Sequence, residues 1–305
     1  MLPTLSVVIL SYNRLECLRR NLVAILKGSR QYRYEVVVVD NASHDGSVEF
    51  LQKLRAAFPE LQLHLNGTNL GVGGGRNVGF RAARGQYILY LDDDTLMEVA
   101  DIVKLPLYFQ THCEAGILAF RVWDILSGRY LNDFGETPCS DIANFAGAGH
   151  AIRAELFRRI GYLDELCTFG AEELDFSIRA HSAGFTTVYL PRPIVLHYNK
   201  ARAGRLLLER RERYLYNFIR VLFKHFPIPL AGTFAFRLLS SHIRAGIKNH
   251  GIRVIMSLCI CAYTAIKAGL DNHTCVSIDT IRFYRRPDLL PDYGNIPIMK
   301  KILSA

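Results

Sequence analysis

The first half of the chain alternates short apolar runs with longer segments of helical spacing. Four runs, at residues 6–10, 35–39, 61–65 and 87–91, are rich in Val, Ile, Leu and Tyr and are followed by polar residues. Runs of this length and content are typical of strands buried on both faces of a sheet. The alternation predicts an α/β fold with a mostly parallel, Rossmann-like sheet and helices on both of its faces.

The segments between and after these strands predict the remaining elements. Early helices are expected at residues 15–26 and 47–58, and from a glycine-rich turn at 69–75 to about residue 84. Later elements are strands at 116–121, 186–190 and 194–196, a hairpin about Ser127 and Gly128, and a helix at 172–183 with Gly184 at its C-cap. Small residues at 145–149 allow a ligand or another backbone to approach closely.

The C-terminal third is helical in pattern and strongly basic. Helices are predicted at residues 205–226, 230–248 and 252–267. Residues 254–266 are almost uncharged, but they fall short of the roughly 20 residues that a membrane-spanning helix needs. We therefore expect a domain at residues 1–200 and a helical basic tail at 201–305.

The net charge of +9 lies entirely in that tail. From Lys200 onward there are 18 Lys and Arg against 6 Asp and Glu, whereas the first 199 residues have a balance of −3. Such asymmetry indicates an anionic partner. Long aliphatic runs between the basic residues favour the surface of an anionic membrane, bound by interfacial amphipathic helices, over nucleic acid. The alternative is a helical bundle packed on the domain, or a homo-oligomer interface.

Overall composition, with 50% hydrophobic and 21% charged residues, is that of a globular protein. Seven cysteines show no pairing pattern and no CxxC motif, which favours a reducing, cytoplasmic environment. The N-terminus has no basic region before its apolar run, so it indicates a first strand rather than a signal peptide.

Polar residues follow the predicted strands where a parallel sheet binds its ligands. Ser11, Tyr12 and Asn13 follow the first, Asp40 the second, and a triplet of aspartates at 92–94 the fourth. Adjacent carboxylates repel one another unless a cation compensates them, and Mg²⁺ or Mn²⁺ held together with substrate phosphates would do so. The alternative is that Asp94 or Thr95 caps a following helix.

A glycine-rich segment at residues 69–77 precedes a predicted helix and contains Arg76. Glycines permit close backbone approach, and the guanidinium of an arginine is suited to phosphate. The pattern is neither the Rossmann fingerprint, which follows the first strand, nor a Walker motif, which needs Gly-Lys-Ser/Thr.

These motifs, in this order, resemble glycosyltransferase family 2, the inverting transferases with the glycosyltransferase A fold. The resemblance covers about residues 4–200 and rests on the segments at 7–14, 38–47, 69–77 and 91–94. Within the family, the chain looks most similar to bacterial rhamnosyltransferase-like members. The resemblance implies a metal-dependent transfer of a sugar, from a nucleoside-diphosphate donor of the dTDP-rhamnose or UDP-hexose type, to a hydroxyl of a growing glycan.

The same resemblance implies roles for individual residues. The donor nucleotide would contact Ser11, Tyr12, Asn13, Asp40, Asn69, Arg76, Asp92 and Asp93, and the ion would be held by Asp92, Asp94 and His197. Asp40 would accept a hydrogen bond from the base, and Arg76 would contact the base or the diphosphate. His197 matches a metal-ligand position of some members, although a lone histidine is more often structural.

The catalytic base matches Glu173, at the start of the helix predicted at 172–183. The family usually has Asp at this position, so Glu172 and Asp175 are alternatives. A carboxylate there would take the proton of the acceptor hydroxyl. The non-catalytic interpretation is an acidic helix start, with Asp175 and Arg179 as an ordinary i,i+4 pair.

Two other functions stay open at this level, a sugar-nucleotide nucleotidyltransferase and a non-catalytic nucleotide-sugar-binding scaffold. The acceptor is expected to be a glycan or a polyprenyl-linked lipid of cell-surface polysaccharide synthesis. The protein would then work in the cytoplasm, at the inner face of the membrane.

Overall fold

The computed structural model describes residues 3–131, 133–198, 205–250, 252 and 254–286. Within these ranges, nine strands form one sheet. The strands are β1 (Leu5–Ser11), β2 (Glu35–Asp40), β3 (Gln62–Leu65), β4 (Tyr87–Asp92), β5 (Thr95–Leu96), β6 (Ala115–Asp124), β7 (Arg129–Tyr130), β8 (Gly149–Arg153) and β9 (Thr186–His197).

Helices lie between many of these strands and form most of the described part of the tail. They are α1 (Leu15–Tyr32), α2 (Ser47–Ala57), α3 (Gly71–Ala82), α4 (Val99–Ile102), α5 (Leu105–Thr111), α6 (Ala154–Ile160), α7 (Glu172–Ser182), α8 (Arg205–His225), α9 (Ile228–His250), α10 (Val254–Leu270) and α11 (Ile278–Tyr284).

The sheet has a parallel half and a mixed half. Strands β3, β2, β1 and β4 lie side by side and parallel, as the sequence predicted. Next to β4, strand β8 runs antiparallel, followed by β6, β9 and β5, and β6 also forms the predicted hairpin with β7. The parallel strands all end at one edge, where their polar residues collect.

Alternate residues of the parallel strands face two different cores. Val7, Val38 and Leu89 pack on one face with residues of α1, α2 and α5. Val8 and Ile88 pack on the other face with residues of α3, α6 and α7. Because both faces of the sheet are covered, the strands are continuously apolar in sequence and do not alternate between apolar and polar residues.

Two local expectations were wrong. The predicted turn at 69–75 is largely the first turns of α3, which begins at Gly71. The glycines there allow close packing: a Cβ on Gly75 would lie 2.6 Å from a methyl of Leu10, and one on Gly79 would lie 2.4 Å from Val8. The helix-cap alternative for the triplet also fails, because Thr95 begins a strand that pairs with β9.

The tail packs against the domain through α7. Leu174 and Ile178 of α7 share a third core with Leu215 and Phe218 of α8 and Leu258 of α10. In the part of the chain that the structure describes, none of the helices combines the length and apolar character needed to cross a bilayer. The packing agrees with the bundle alternative, while the division at residue 200 stays a prediction.

A buried ion network reinforces this contact. The side chain of Asp175 on α7 is fully buried, and its carboxylate lies 2.7 Å from Nζ of Lys224, 2.8 Å from Nε2 of His225 and 2.8 Å from Nε of Arg179. Burial opposes ionisation, but these cationic and hydrogen-bonding partners hold the pKa of Asp175 well below its usual value. The tail is therefore tied to α7 by charge as well as by apolar packing.

We expect Asp175→Asn to lower the free energy of unfolding by about 3 kcal/mol, because the substitution removes the buried charge that pairs with the half-buried Lys224 and Arg179. Wild-type protein should keep this contribution above pH 4 and lose it as acid protonates the carboxylate, since the folded pKa is the lower one. Urea unfolding measures both effects. The exposed Asp279→Asn is the control, and an equal small change in both variants would contradict the prediction.

Candidate active site

The polar ends of three parallel strands are neighbours in the sheet. Ser11 pairs in register with Asp40, and Leu10 pairs with Asp92. The expected convergence of these residues at one edge is therefore present in the structure.

The end of β2 carries a buried hydrogen-bond acceptor that has no donor. Asp40 is 1% exposed, and its Oδ1 accepts a hydrogen bond from the backbone N–H of Ser43 at 2.8 Å. Its Oδ2, like the hydroxyl of Ser11, has no hydrogen-bond partner among the described residues. A buried acceptor without a donor is costly, so this pocket is suited to a ligand that supplies an N–H group.

The loops around this acceptor are held by asparagines. Asn13 has a left-handed backbone with φ 54°, and its side chain accepts from the N–H of His44 at 2.7 Å. Asn41 donates to Oδ1 of Asn69 at 2.9 Å, and Asn69 also accepts from the N–H of Gly71. Asn13 and Asn69 thus hold the loops that follow β1 and β3. Asn41, for which the sequence suggested no role, links the end of β2 to the start of α3.

Arg76 is the centre of the site. Its guanidinium is 4% exposed and lies 4.4 Å from the ring centroid of Tyr90. Nη1 lies 2.7 Å from Oε1 of Glu173 and 3.5 Å from Oε1 of Glu172, and Nη2 lies 3.4 Å from Oδ1 of Asp92. Burial alone would lower the pKa of Arg76, but the surrounding groups raise it, so the residue is cationic.

A glycine allows this cluster to form. Nη2 of Arg76 donates to the carbonyl of Gly147 at 3.3 Å, and a Cβ on Gly147 would lie 1.9 Å from Oε1 of Glu173. The close approach expected at residues 145–149 is present, and it involves the candidate base itself.

A second cluster surrounds Asp94. Nε2 of His197 lies 3.4 Å from Oδ1 of Asp94, and Nη2 of Arg14 lies 3.2 Å from Oδ2. Burial opposes ionisation of Asp94, but His197 and Arg14 lower its pKa, and the neighbouring carboxylates raise that of His197 against the effect of burial. Oδ2 of Asp124, which the sequence did not single out, lies 3.3 Å from Nδ1 of His197, on the far side of the ring from Asp94.

This second cluster fits one divalent ion. Two ligands about 2.1 Å from a shared ion lie roughly 3.0 to 3.4 Å apart, which agrees with the spacing between Asp94 and His197. A carboxylate behind the imidazole, here Asp124, is the usual support of a metal-binding histidine. Across the described ranges, no group of three His, Cys, Asp or Glu residues is arranged to hold an ion alone. The remaining ligands would come from the donor and from water.

The other predicted residues have different surroundings. Tyr12 is partly exposed, and its backbone N–H donates to Oδ2 of Asp93 at 3.1 Å. Burial and the charges of Asp94 and Asp92 raise the pKa of Asp93 to about 8. Asp175 does not join the site, because its carboxylate is bound within the ion network with the tail.

Two family models match the chain. The family model described as Glycosyl transferase family group 2 matches residues 87–269, more than half of the chain, and that of Glycosyl transferase family 2 matches residues 6–132. The chain therefore belongs to the family 2 glycosyltransferases, as the resemblance in its motifs implied. The rhamnosyltransferase-like assignment stays a prediction.

Curated relatives match the chain over part of their length. The uncharacterized glycosyltransferase YfnE of Bacillus subtilis is 28% identical over 142 residues, 47% of this chain and 36% of the relative. The dolichyl-phosphate beta-glucosyltransferase of Saccharomyces cerevisiae is 31% identical over 109 residues, 33% of each chain. The chain thus spans about a third of the length of these relatives.

Solved structures share the fold over nearly the whole chain. S. aureus TarS 1–349 in complex with UDP-GlcNAc has a TM-score of 0.63 at 19% identity, over 98% of this chain and 90% of that one. The mannosyltransferase PcManGT of Pyrobaculum calidifontis, in complex with GDP-Man and Mn²⁺, has a TM-score of 0.57 at 19% identity, over 99% and 85%. These similarities confirm the glycosyltransferase A fold.

The site predicts a pH-dependent stability that involves Glu172. Burial and the charge of Glu173 raise the pKa of Glu172 from 4.5 to about 8. Between these values the folded protein retains a proton that the unfolded chain has released, so stability falls as the pH rises. We expect Glu172→Gln to reduce this fall, by at most about 1.4 kcal/mol per pH unit.

Urea unfolding at several pH values tests this expectation. Glu155→Gln, on the surface of α6, should keep the wild-type dependence. If Glu172→Gln kept it too, the raised pKa would be contradicted.

Proposed function

We propose that this protein is a metal-dependent inverting glycosyltransferase, which moves a sugar from a nucleoside-diphosphate donor to a hydroxyl of a glycan or lipid-linked acceptor. The observation that carries the proposal is the buried Arg76, held between Asp92 of the donor edge and Glu173 of α7. The same cation thus contacts both the proposed diphosphate site, at Asp92, and the proposed catalytic base, Glu173. Family membership favours transfer over a nucleotidyltransferase or a scaffold.

Donor binding uses the edge formed by β1, β2 and β4. Oδ2 of Asp40 accepts the N–H of the base, because that oxygen is buried and otherwise unpaired. Ser11 and Tyr12 line the nucleotide pocket, and Asp92 contacts the ribose or the ion. Arg76 interacts with the diphosphate through its planar guanidinium.

The ion is proposed to be Mg²⁺ or Mn²⁺, held by Asp94 and His197, with Asp92 as a further candidate ligand. When bound, it neutralises the charge that develops on the departing nucleoside diphosphate. Arg14 lies against Asp94 and adds positive charge at the same place. This chain shares the fold of PcManGT, and the structure of PcManGT with GDP-Man contains Mn²⁺.

Glu173 is the proposed base. In the structure its carboxylate pairs with Arg76 at 2.7 Å. A bound diphosphate competes for the same guanidinium, which leaves the carboxylate available to accept the proton of the acceptor hydroxyl as that oxygen attacks the anomeric carbon. Glu172 is less suited because it is almost fully buried and its pKa is raised. Asp175 is occupied by the tail.

The donor and acceptor are proposed by chemical class. TarS was crystallised with UDP-GlcNAc and PcManGT with GDP-Man, which supports a nucleoside-diphosphate hexose as donor; dTDP-rhamnose stays a second candidate. A polyprenyl-linked glycan at the inner face of the membrane is the proposed acceptor, since the tail is cationic.

We expect Glu173→Gln to lower turnover by a factor of about 100 or more, because the amide cannot accept the proton. Donor affinity should change little. Nucleoside-diphosphate release from a panel of nucleotide sugars measures turnover, and calorimetry measures donor binding.

Glu172→Gln is the matched control for that variant, since it changes the adjacent carboxyl isosterically. It should retain most activity near neutral pH, where this buried group is already protonated. If Glu172→Gln lost activity and Glu173→Gln kept it, the assignment of the base would move to Glu172.

We expect Asp94→Asn to abolish Mn²⁺-stimulated release and to weaken Mn²⁺ binding by a factor of about 10 or more, because an ionised ligand is lost. Titration with Mn²⁺ in the presence of UDP, followed by electron paramagnetic resonance, measures binding without turnover. The half-buried Asp101→Asn, on α4 and outside both clusters, should behave as wild type. Unchanged Mn²⁺ binding by Asp94→Asn would contradict the metal site.

A further inference from the structure

The outer side of α10 is an exposed apolar stripe. Ile252 just before the helix, and then Met256, Ile260 and Tyr263, are 74, 72, 57 and 70% exposed. Their spacing of three or four residues places them along one side of the helix. Large apolar side chains at this exposure are common singly but not in a continuous row.

This stripe is not needed to hold the tail together. The opposite side of α10 carries Val254, Leu258, Ala262 and Ala265, and these are the residues buried in the core with α8 and α9. Among the described residues, the outer side chains therefore take no part in this core and stay exposed.

All the charged residues of the helix pair α9 and α10 are basic. Residues 228–270 contain no Asp or Glu, and they contain five Lys and Arg: Arg237, Arg244, Lys248, Arg253 and Lys267. Arg244 and Lys267 are exposed, and Lys267 follows Tyr263 by one helical turn. Apolar side chains bordered by Tyr and Lys, without acidic residues, are the composition of a helix that lies in a membrane interface.

We propose that the outer face of α10, formed by Ile252, Met256, Ile260, Tyr263 and Lys267, docks on an anionic lipid bilayer, with the exposed Arg244 of α9 as a further cation. The apolar side chains enter the headgroup region, and the cations remain at the phosphates because their long stems reach back to the surface. The inference deepens the membrane contact within the proposed function and rests on it. It gives that contact a defined surface.

Charge argues against the other occupants. A second copy packed on the same face through two-fold symmetry would bring identical basic helices together with no carboxylate from residues 228–270 to compensate. Nucleic acid would satisfy the cations but would leave the apolar row in water.

Sedimentation with phosphatidylcholine vesicles, with and without phosphatidylglycerol, tests the proposal on the full chain. We expect binding that requires phosphatidylglycerol and weakens with salt. The triple variant Met256→Ser, Ile260→Ser and Tyr263→Ser should lose at least about tenfold in affinity, because the inserted apolar surface is removed. Arg244→Gln with Lys267→Gln should weaken the dependence on phosphatidylglycerol without removing the apolar row.

The matched control replaces three exposed leucines elsewhere: Leu107→Ser, Leu126→Ser and Leu166→Ser. It should bind as wild type. Absence of vesicle binding by wild-type protein, equal binding by both triple variants, or a dimer in light scattering that the α10 variant dissociates would overturn the proposal. Because no donor or acceptor takes part, these outcomes are independent of whether the chain transfers a sugar.

Discussion

The guanidinium of Arg76 is almost fully buried beside Asp92, Glu172 and Glu173 and over the ring of Tyr90. A buried cation is stable only with such compensation, and a buried carboxylate has the same requirement. The ends of α3, β4 and α7 are therefore positioned by one set of interactions. The proposed diphosphate donor would meet a cation that these carboxylates already hold in place.

The tail also helps to position α7, through contacts on the side of the helix that faces away from Arg76. Lys224 and His225 hold Asp175, and Arg220 lies 3.0 Å from Asp164 in the loop before the helix. The helix that carries Glu173 is thus fixed between Arg76 and the tail. A tail that only anchored the protein would not need buried ion pairs with this helix. Its inner side supports the site, and its outer side is the surface for which we propose a lipid partner.

Much of the site was predictable because its signals are local. The strands were found from continuous apolar runs, and their polar ends from the residues that follow. The contribution of Asn41 and Asp124 was missed, since a polar residue after a strand has no local sign of which partner it will meet. The glycines at 71–75 favour a turn in the sequence, because glycine is a poor helix former. In the structure they are helical, since close packing on β1 and the neighbouring loops outweighs that preference.

The amino-acid sequence by itself determined the parallel half of the sheet, the edge where its polar residues collect and the family, because each depends on short patterns repeated in order. Only the tertiary structure decided which acid of α7 enters the site. Glu173 and Asp175 are two residues apart, and the family pattern favoured Glu173 but left Asp175 as an alternative. Their separation comes from Arg76, 97 residues before Glu173, and from Lys224, 49 residues after Asp175. Contacts over such distances form only when the whole chain has folded, since they join elements that the sequence places far apart.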